Sequence, residues 1–239
     1  MDDGEVLQKL LSWMLMRHPH LLASSEVDRF SWNKFSEGQS NPTYLVLHDQ
    51  RPQFVFRRKP FGRILASAHA VEREARVMHA LRDSCVPVPR ILAICEDASV
   101  VGVAFYLAEY VPGRVFADPS LANVDMPIEE KQAMYEEAAR VLNHLHKVDV
   151  DAVGLGNFGP SGHNHVSRQL RRWRRQVEAS NFGSSGSKDG KNFQRLIELL
   201  MKRQAELGIA QDTHRNLVHG DYRLDNMIFH PVENRVIAL

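Results

Sequence analysis

The chain has 239 residues, 44% hydrophobic and 25% charged, with 30 Lys and Arg against 29 Asp and Glu. That length suits one large domain or two lobes sharing a cleft, and a formal net charge of +1 excludes a global field for holding nucleic acid or an anionic membrane, so any anion site is local. The two cysteines, Cys85 and Cys95, form neither a CxxC pair nor a metal spacing and read as buried thiols of a reducing compartment.

The acidic start Met1-Asp2-Asp3-Gly4-Glu5 lacks the basic segment of a signal peptide. The apolar stretch at residues 10–16 is too short to span a bilayer. An intracellular protein with no visible targeting signal is expected. Residues 5–17 read as an amphipathic helix, with Val6, Leu7, Leu10, Leu11 and Met14 at helical spacing. Tyr44-Leu45-Val46-Leu47 and Phe54-Val55-Phe56 have strand character around the polar turn Asp49-Gln50-Arg51-Pro52, a hairpin signal. Residues 67–82 return to helical spacing, with Val71, Ala75, Met78 and Leu81 on one face. Pro87 and Pro89 end that helix and lead into Ile91-Leu92-Ala93-Ile94, and residues 100–110 read as one or two strands.

Pro112-Gly113 breaks the chain, and the texture changes. Residues 127–147 predict a helix opened by Pro127, burying Met134, Ala138, Val141, Leu142 and Leu145. Two more helices are expected at 165–179 and 192–207, separated by a Gly/Ser-rich loop at 181–191. Met227-Ile228-Phe229 and Val236-Ile237-Ala238-Leu239 flank a polar turn. The order, mostly β and then mostly helical, predicts an α+β fold of two lobes hinged near residues 109–113.

The sharpest feature is Leu217-Val218-His219-Gly220-Asp221-Tyr222-Arg223-Leu224-Asp225-Asn226. A His two residues before an Asp, and an Asn five after it, is the catalytic-loop spacing of kinases. Phosphoryl transfer needs a carboxylate to orient the attacking hydroxyl and accept its proton, and an oxygen ligand for Mg²⁺ beside the phosphates. Asp221 suits the first role and Asn226 the second. His219 would brace the loop and Gly220 would let it turn. The rival reading is a polar turn between two strands.

With its flanks, this loop resembles the aminoglycoside phosphotransferase family, the choline-kinase-like kinases. Within that family it is similar to the kinase-like domain at the amino end of acyl-CoA dehydrogenase family members 10 and 11. The likeness is carried by Gly38-Gln39-Ser40-Asn41-Pro42-Thr43, Phe56-Arg57-Arg58-Lys59-Pro60, Glu74, Pro87-Val88-Pro89, Glu109-Tyr110-Val111-Pro112-Gly113-Arg114 and Asn234-Arg235-Val236-Ile237-Ala238. It runs from about residue 35 to the end. It implies a protein-kinase-like fold: an N-terminal helix and lead-in at 1–30, a small antiparallel-sheet nucleotide-binding lobe at 31–111, and a mostly helical lobe at 112–239.

The resemblance also implies roles. Gly38, Ser40, Asn41 and Thr43 match the loop over the ATP phosphates. Arg57 matches the strand cation that reaches them, with Arg58 and Lys59 as alternatives, and a solvated basic strand end as the rival. Glu74 matches the helix carboxylate that pairs with that cation, with Glu72 as the alternative. Glu109 and Val111 match the adenine-facing hinge. ATP and Mg²⁺ are the implied cofactors, and a small-molecule hydroxyl, a hydroxyacyl-CoA, is the implied acceptor. A downstream acyl-CoA dehydrogenase domain and a peroxisomal or mitochondrial setting are implied as well, with the cytoplasm otherwise.

In the family a second metal-binding Asp follows the segment matching Val236-Ile237-Ala238-Leu239. The expectation is therefore a helical lobe truncated at its C-terminus, and a chain that by itself does not transfer phosphate. The rival from another class is a pseudokinase or interaction module. Arg168, Arg171, Arg172, Arg174 and Arg175 surround Trp173 on one predicted helix. A solvated face with Trp173 buried is expected there rather than a nucleic-acid surface, with contact to CoA phosphates as a further option. The 12 histidines form no zinc-ligand pattern.

Overall fold

The computed structural model describes residues 2–35, 41–62, 70–159, 165–179, 188–207 and 215–239. Strands β1 (Phe30–Lys34), β2 (Thr43–His48), β3 (Arg51–Arg58), β4 (Ile91–Cys95) and β5 (Phe105–Glu109) form an antiparallel sheet in the order β1-β2-β3-β5-β4. The expected β2–β3 hairpin is present, with a tighter turn than the polar run suggests. Only Asp49 and Gln50 turn, at φ 48° and 62°, while Arg51 and Pro52 already pair with His48 and Leu47. Two left-handed residues match the twist of a two-residue hairpin. β1 is an addition to the sequence reading. Its apolar alternation is short: Phe30 is buried and Trp32 is partly buried, stacked on Tyr44 and Phe56, before the polar Asn33 and Lys34.

Side chains alternate across a strand, so the sheet has two distinct faces. Helix α1 (Asp3–Arg17) is capped by the Asp2 carboxylate, which accepts from the Glu5 amide at 2.8 Å. It lays Val6, Leu10, Leu11 and Met14 against Tyr44, Val46, Phe54, Phe56, Phe105 and Leu107. Each fully buried side chain of this size contributes about 1.5–3 kcal/mol, which fastens α1 to the sheet. Helix α2 (Val71–Leu81) takes the other face, with Val71 and Ala75 packed against Tyr106 and Ala108.

Residues 100 and 101 depart from the strand expectation. They end a one-turn helix, α3 (Ala98–Val101), which Asp97 caps by accepting from the Ser99 amide. Gly102, at φ 89°, closes it in the left-handed conformation that favours glycine. A local cap has overridden the β-branched preference of Val100 and Val101.

After the linker, α4 (Ile128–His146) buries Met134, Ala138 and Val141 against Leu121, Leu224, Met227, Phe229 and Val236. The last four lie in or between a 3-10 turn at Leu224–Asn226 and a small hairpin of β6 (Ile228–Phe229) and β7 (Val236–Ala238), Met227 joining the turn to β6. All of these elements lie in one compact unit, Met1–Val148 with Leu217–Leu239.

The second unit, Asp149–Asn216, contains α5 (His165–Ala179) and α6 (Lys188–Glu206). α6 begins four residues sooner than expected, because the turn before its first apolar residue, Phe193, carries no periodic signal. Trp173 is 53% exposed rather than buried: α5 turns its indole outward with its arginines. Cys85 is likewise exposed, since it follows the end of α2 rather than lying inside an element, and only Cys95 is buried. Among the described residues no helix is long and apolar enough to cross a membrane.

Candidate active site

The alternation of β3 separates the three cations at its end. Arg57 stands across from Thr43 on β2 and Tyr106 on β5, on the α2 face. Its Nε donates to Glu74 Oε2 at 2.8 Å and its Nη1 to Thr43 Oγ1 at 2.8 Å. Glu74 Oε1 accepts from Asn41 Nδ2 at 2.8 Å, and Tyr106 Oη lies 3.5 Å from Glu74 Oε2. Burial, then the charge of Glu74, push the Tyr106 phenol well above its ordinary range, so it stays a neutral donor. Burial acts against the charge on Arg57, and the Glu74 carboxylate supports it through its charge and its hydrogen bond. The side chains of Arg57 and Glu74 keep 25% and 35% of their exposure, so this pair stands between a screened surface bridge and a dry one.

Arg58 points the other way. It is 5% exposed, its Nη2 donates to Tyr44 Oη at 3.3 Å, and its guanidinium lies 4.1 Å from the Phe61 ring centroid. Lys59 returns to the α2 face and meets Glu72 Oε1 at 2.7 Å. The alternatives that the sequence left open are thus divided by the fold. Arg57 joins Glu74, Lys59 joins Glu72, and Arg58 is packed beneath α1.

Asn41 is 1% exposed and Thr43 begins β2, so the end of the Gly38–Thr43 stretch abuts the Arg57–Glu74 pair. Gly38 and Ser40 lie outside the described residues. Glu109 ends β5. Its amide donates to the Arg90 carbonyl at 2.9 Å, and its carboxylate turns back to accept from the Arg90 amide at 2.8 Å. That leaves backbone, not side chain, for any ligand at the linker. Val111 follows two residues later, partly buried.

The His219–Asn226 loop is held by its own hydrogen bonds. Asn226 Nδ2 donates to the Asp221 carbonyl at 2.9 Å and to Asp221 Oδ2 at 3.0 Å. Arg223 Nε lies 3.3 Å from Asp221 Oδ1, and its Nη2 meets Asp225 Oδ2 at 2.6 Å. Asp221 therefore presents an oriented carboxylate with 64% of its surface open. His219 Nδ1 accepts from the Asp221 amide at 3.3 Å, and Gly220 turns the chain at φ 87°. Much of His219 is exposed, yet crowding by protein atoms pushes its pKa below 6.5, against the pull of Asp221.

Three tethers hold this loop, through Tyr222 within it and Glu137 and Arg114 outside it, and the sequence gives none of them a role. Tyr222 Oη donates to the Ala138 carbonyl on α4 at 2.5 Å; burial and the charge of Glu137 push this phenol up to about 12. Glu137 Oε1 accepts from the Val236 amide at 3.0 Å. Arg114 exchanges both backbone hydrogen bonds with Phe229, at 2.8 and 2.9 Å. Its guanidinium then reaches the carbonyls of His230, at 2.9 Å, and Glu233, at 2.7 Å. A Cβ on Gly113 would collide with the Phe229 carbonyl and the Ile228 side chain, so glycine permits this close approach. Pro112-Gly113-Arg114 was visible as a break; its partner over 110 residues later was not.

A divalent cation fits this loop on one condition. The amide nitrogen of Asn226 is committed to Asp221, which leaves Oδ1, a hard neutral oxygen, for an outside partner. Among the described residues no three His, Cys, Asp or Glu side chains cluster to hold a metal. A cation here would take the rest of its shell from phosphate oxygens and water, as Mg²⁺ commonly does.

The model of the phosphotransferase enzyme family matches residues 31–239. Acyl-CoA dehydrogenase family member 10 of Mus musculus is 42% identical over 206 residues, which are 86% of this chain and 18% of the relative. Family member 11 of Homo sapiens is 36% identical over 206 residues, 86% of this chain and 25% of the relative. The chain thus spans a quarter or less of the length of these two curated relatives. A crystal structure of a candidate aminoglycoside phosphotransferase from Ralstonia eutropha JMP134 superposes with a TM-score of 0.72 at 37% identity, over 97% of this chain and 62% of that one. The GDP complex of aminoglycoside 2'-phosphotransferase-IIIa (TM-score 0.60, 14% identity, 97% and 71% covered) and choline kinase from Cryptosporidium parvum Iowa II (0.61, 12%, 96% and 62%) share the fold. The α+β architecture is that of the protein-kinase-like phosphotransferases, and the chain belongs to the phosphotransferase enzyme family.

Proposed function

We propose that this chain forms the nucleotide-gripping and catalytic-loop part of an ATP- and Mg²⁺-dependent phosphotransferase acting on a small-molecule hydroxyl. The nucleotide-binding lobe would span 31–111 and the catalytic lobe 112–239. The observation that carries the reading is that one compact unit contains two prepared clusters. One is the Arg57 guanidinium, fixed by Glu74 and Thr43, with Asn41 bonded to Glu74 in turn. The other is a carboxylate oriented by Asn226 and Arg223.

In this reading the adenine edge meets the backbone of Glu109 and Val111. Gly38 and Ser40, which lie outside the described residues, are assigned to phosphate binding with Asn41 on the family resemblance alone. Arg57 carries no bond from Nη2 to the described residues, and that edge grips the inner phosphates while Glu74 keeps the guanidinium from swinging away. Asp221 receives the proton of the attacking hydroxyl, and its hydrogen bonds from Asn226 fix the oxygen that does so. His219 holds the backbone of Asp221 rather than touching substrate. Mg²⁺, when bound at Asn226 Oδ1, would offset the negative charge that builds on the phosphates.

The relatives named as acyl-CoA dehydrogenases favour a hydroxyacyl-CoA as acceptor over an aminoglycoside. The test is transfer of labelled phosphate from ATP by the protein, offered a hydroxyacyl-CoA and an aminoglycoside side by side. Label on the acyl-CoA hydroxyl is the expected result. Label on the aminoglycoside alone would overturn the substrate, and no transfer from ATP to either acceptor by the full-length protein would overturn the reaction.

A further inference from the structure

Lys59 continues the Arg57 face of β3. Its amide donates to the Ala104 carbonyl at 3.1 Å, so the ladder with the β5 side runs one residue beyond the strand. Its ammonium meets Glu72 two residues before Glu74 on α2. The two cation–carboxylate pairs are neighbouring rungs between one strand end and the first turns of one helix.

The rungs differ in what they leave unused. The Arg57 guanidinium is bound on two of its nitrogens, by Glu74 and Thr43. Among the described residues the Lys59 ammonium has one partner, Glu72 Oε1, which leaves two N–H donors. Glu72 in turn has a buried oxygen, Oε2, with no hydrogen-bond partner. A carboxylate satisfied on one oxygen only is a poor final partner for a lysine that keeps 27% of its exposure. A doubly charged phosphate would compete for it.

Strand register says which phosphate. Phe54 pairs with Glu109 at the linker, and Arg57 pairs with Tyr106 three residues farther out. At the rise of a β-strand, Arg57 lies about 10 Å from the linker level and Lys59 about 17 Å. The Arg58 amide bonds the Pro42 carbonyl at 3.1 Å, so Lys59 comes level with the loop that precedes β2. A nucleotide with its base at the linker and its inner phosphates on Arg57 therefore extends its terminal phosphate toward Lys59.

We propose that Lys59 is a second phosphate contact, for the terminal phosphate of a nucleoside triphosphate, and that Glu72 is the positioning residue that aims it. The inference rests on the nucleotide reading above and adds a residue that discriminates triphosphate from diphosphate. Arg57 serves both nucleotides; Lys59 serves only the longer one.

The test is titration of ATP and ADP into the protein, with thermal unfolding run on every variant. In Lys59→Met, ATP affinity is expected to fall about tenfold and ADP affinity less than about twofold, the scale of one charge-assisted hydrogen bond. Lys59→Arg keeps the charge and should restore the preference for ATP. Glu72→Gln should narrow the ATP-to-ADP ratio severalfold while leaving ADP binding unchanged, which a merely structural role would not do. If Lys59→Met fails to fold, Lys59→Met with Glu72→Met removes the unpaired charge and is titrated instead. Equal losses for ATP and ADP, or no loss for either, would overturn the inference while leaving the nucleotide site intact. Failure of the unaltered protein to bind either nucleotide would overturn the reading beneath it as well.

Discussion

The Arg57–Glu74 cluster and the Asp221–Asn226 loop are both prepared sites, built in opposite ways. The first is assembled from regular elements: a strand, its antiparallel neighbours and one helix face. None of its hydrogen bonds spans more than 33 residues, and its members are buried or partly buried. The second is an exposed turn with no regular element of its own. Its internal geometry comes from bonds spanning five residues or fewer. Its position depends on Tyr222, Glu137 and Arg114, which reach 84, 99 and up to 120 residues along the chain. A periodic element fixes both the direction and the place of its side chains. A turn fixes direction only, and borrows its place from whatever it is tied to.

That difference can be broken most severely at Gly113. Gly113→Ala forces a Cβ into the Phe229 carbonyl and should destabilise the fold by about 2–3 kcal/mol, the scale of overpacking a close contact. Turnover should fall with stability, while ATP affinity at temperatures where the variant is folded should stay near that of the parent. Equal loss of both would mean that the sheet cluster depends on the linker as much as the loop does.

A milder cut is Tyr222→Phe, which removes the hydroxyl bound to Ala138. A cost of about 1 kcal/mol in chemical denaturation is expected, with kcat lowered more than KM for ATP. A change in KM alone would contradict the tether.

The smallest effect is a pH dependence. The folded pKa of His219 lies below its ordinary 6.5, so folding favours the neutral ring. This contribution to stability is complete above pH 6.5 and is lost as pH falls through the folded value, because the unfolded chain binds the proton first. His219→Asn should flatten the acid limb of the stability profile below about pH 6.5. An unchanged limb would assign that slope to other groups.

The same contrast explains what the sequence made legible. The apolar spacing of α1, α2 and α4 and the β2–β3 hairpin were readable, because burial and periodicity coincide there. β1 was not, since its apolar signal is confined to Phe30 and Trp32, nor was α3, since its caps Asp97 and Gly102 outweigh two valines. His219, Asp221 and Asn226 stood out because their spacing is itself the geometry of a turn. At the end of β3 the sequence offered three adjacent cations without a register, and pairing with Thr43 and Tyr106 was needed to turn Arg57 and Lys59 one way and Arg58 the other. The tethers Tyr222, Glu137 and Arg114 carry no local signal, because each acts through a partner far along the chain.

The central claim is that one cluster grips the nucleotide and the other performs the transfer. It is tested most directly by Asp221→Asn, measured for ATP affinity and for phosphate transfer in the same preparation. The account predicts that ATP affinity stays within about threefold of the parent while transfer falls by about 10²–10⁴, the contribution of a positioned base. Retained transfer, or loss of ATP binding in a variant that is still folded, would contradict it.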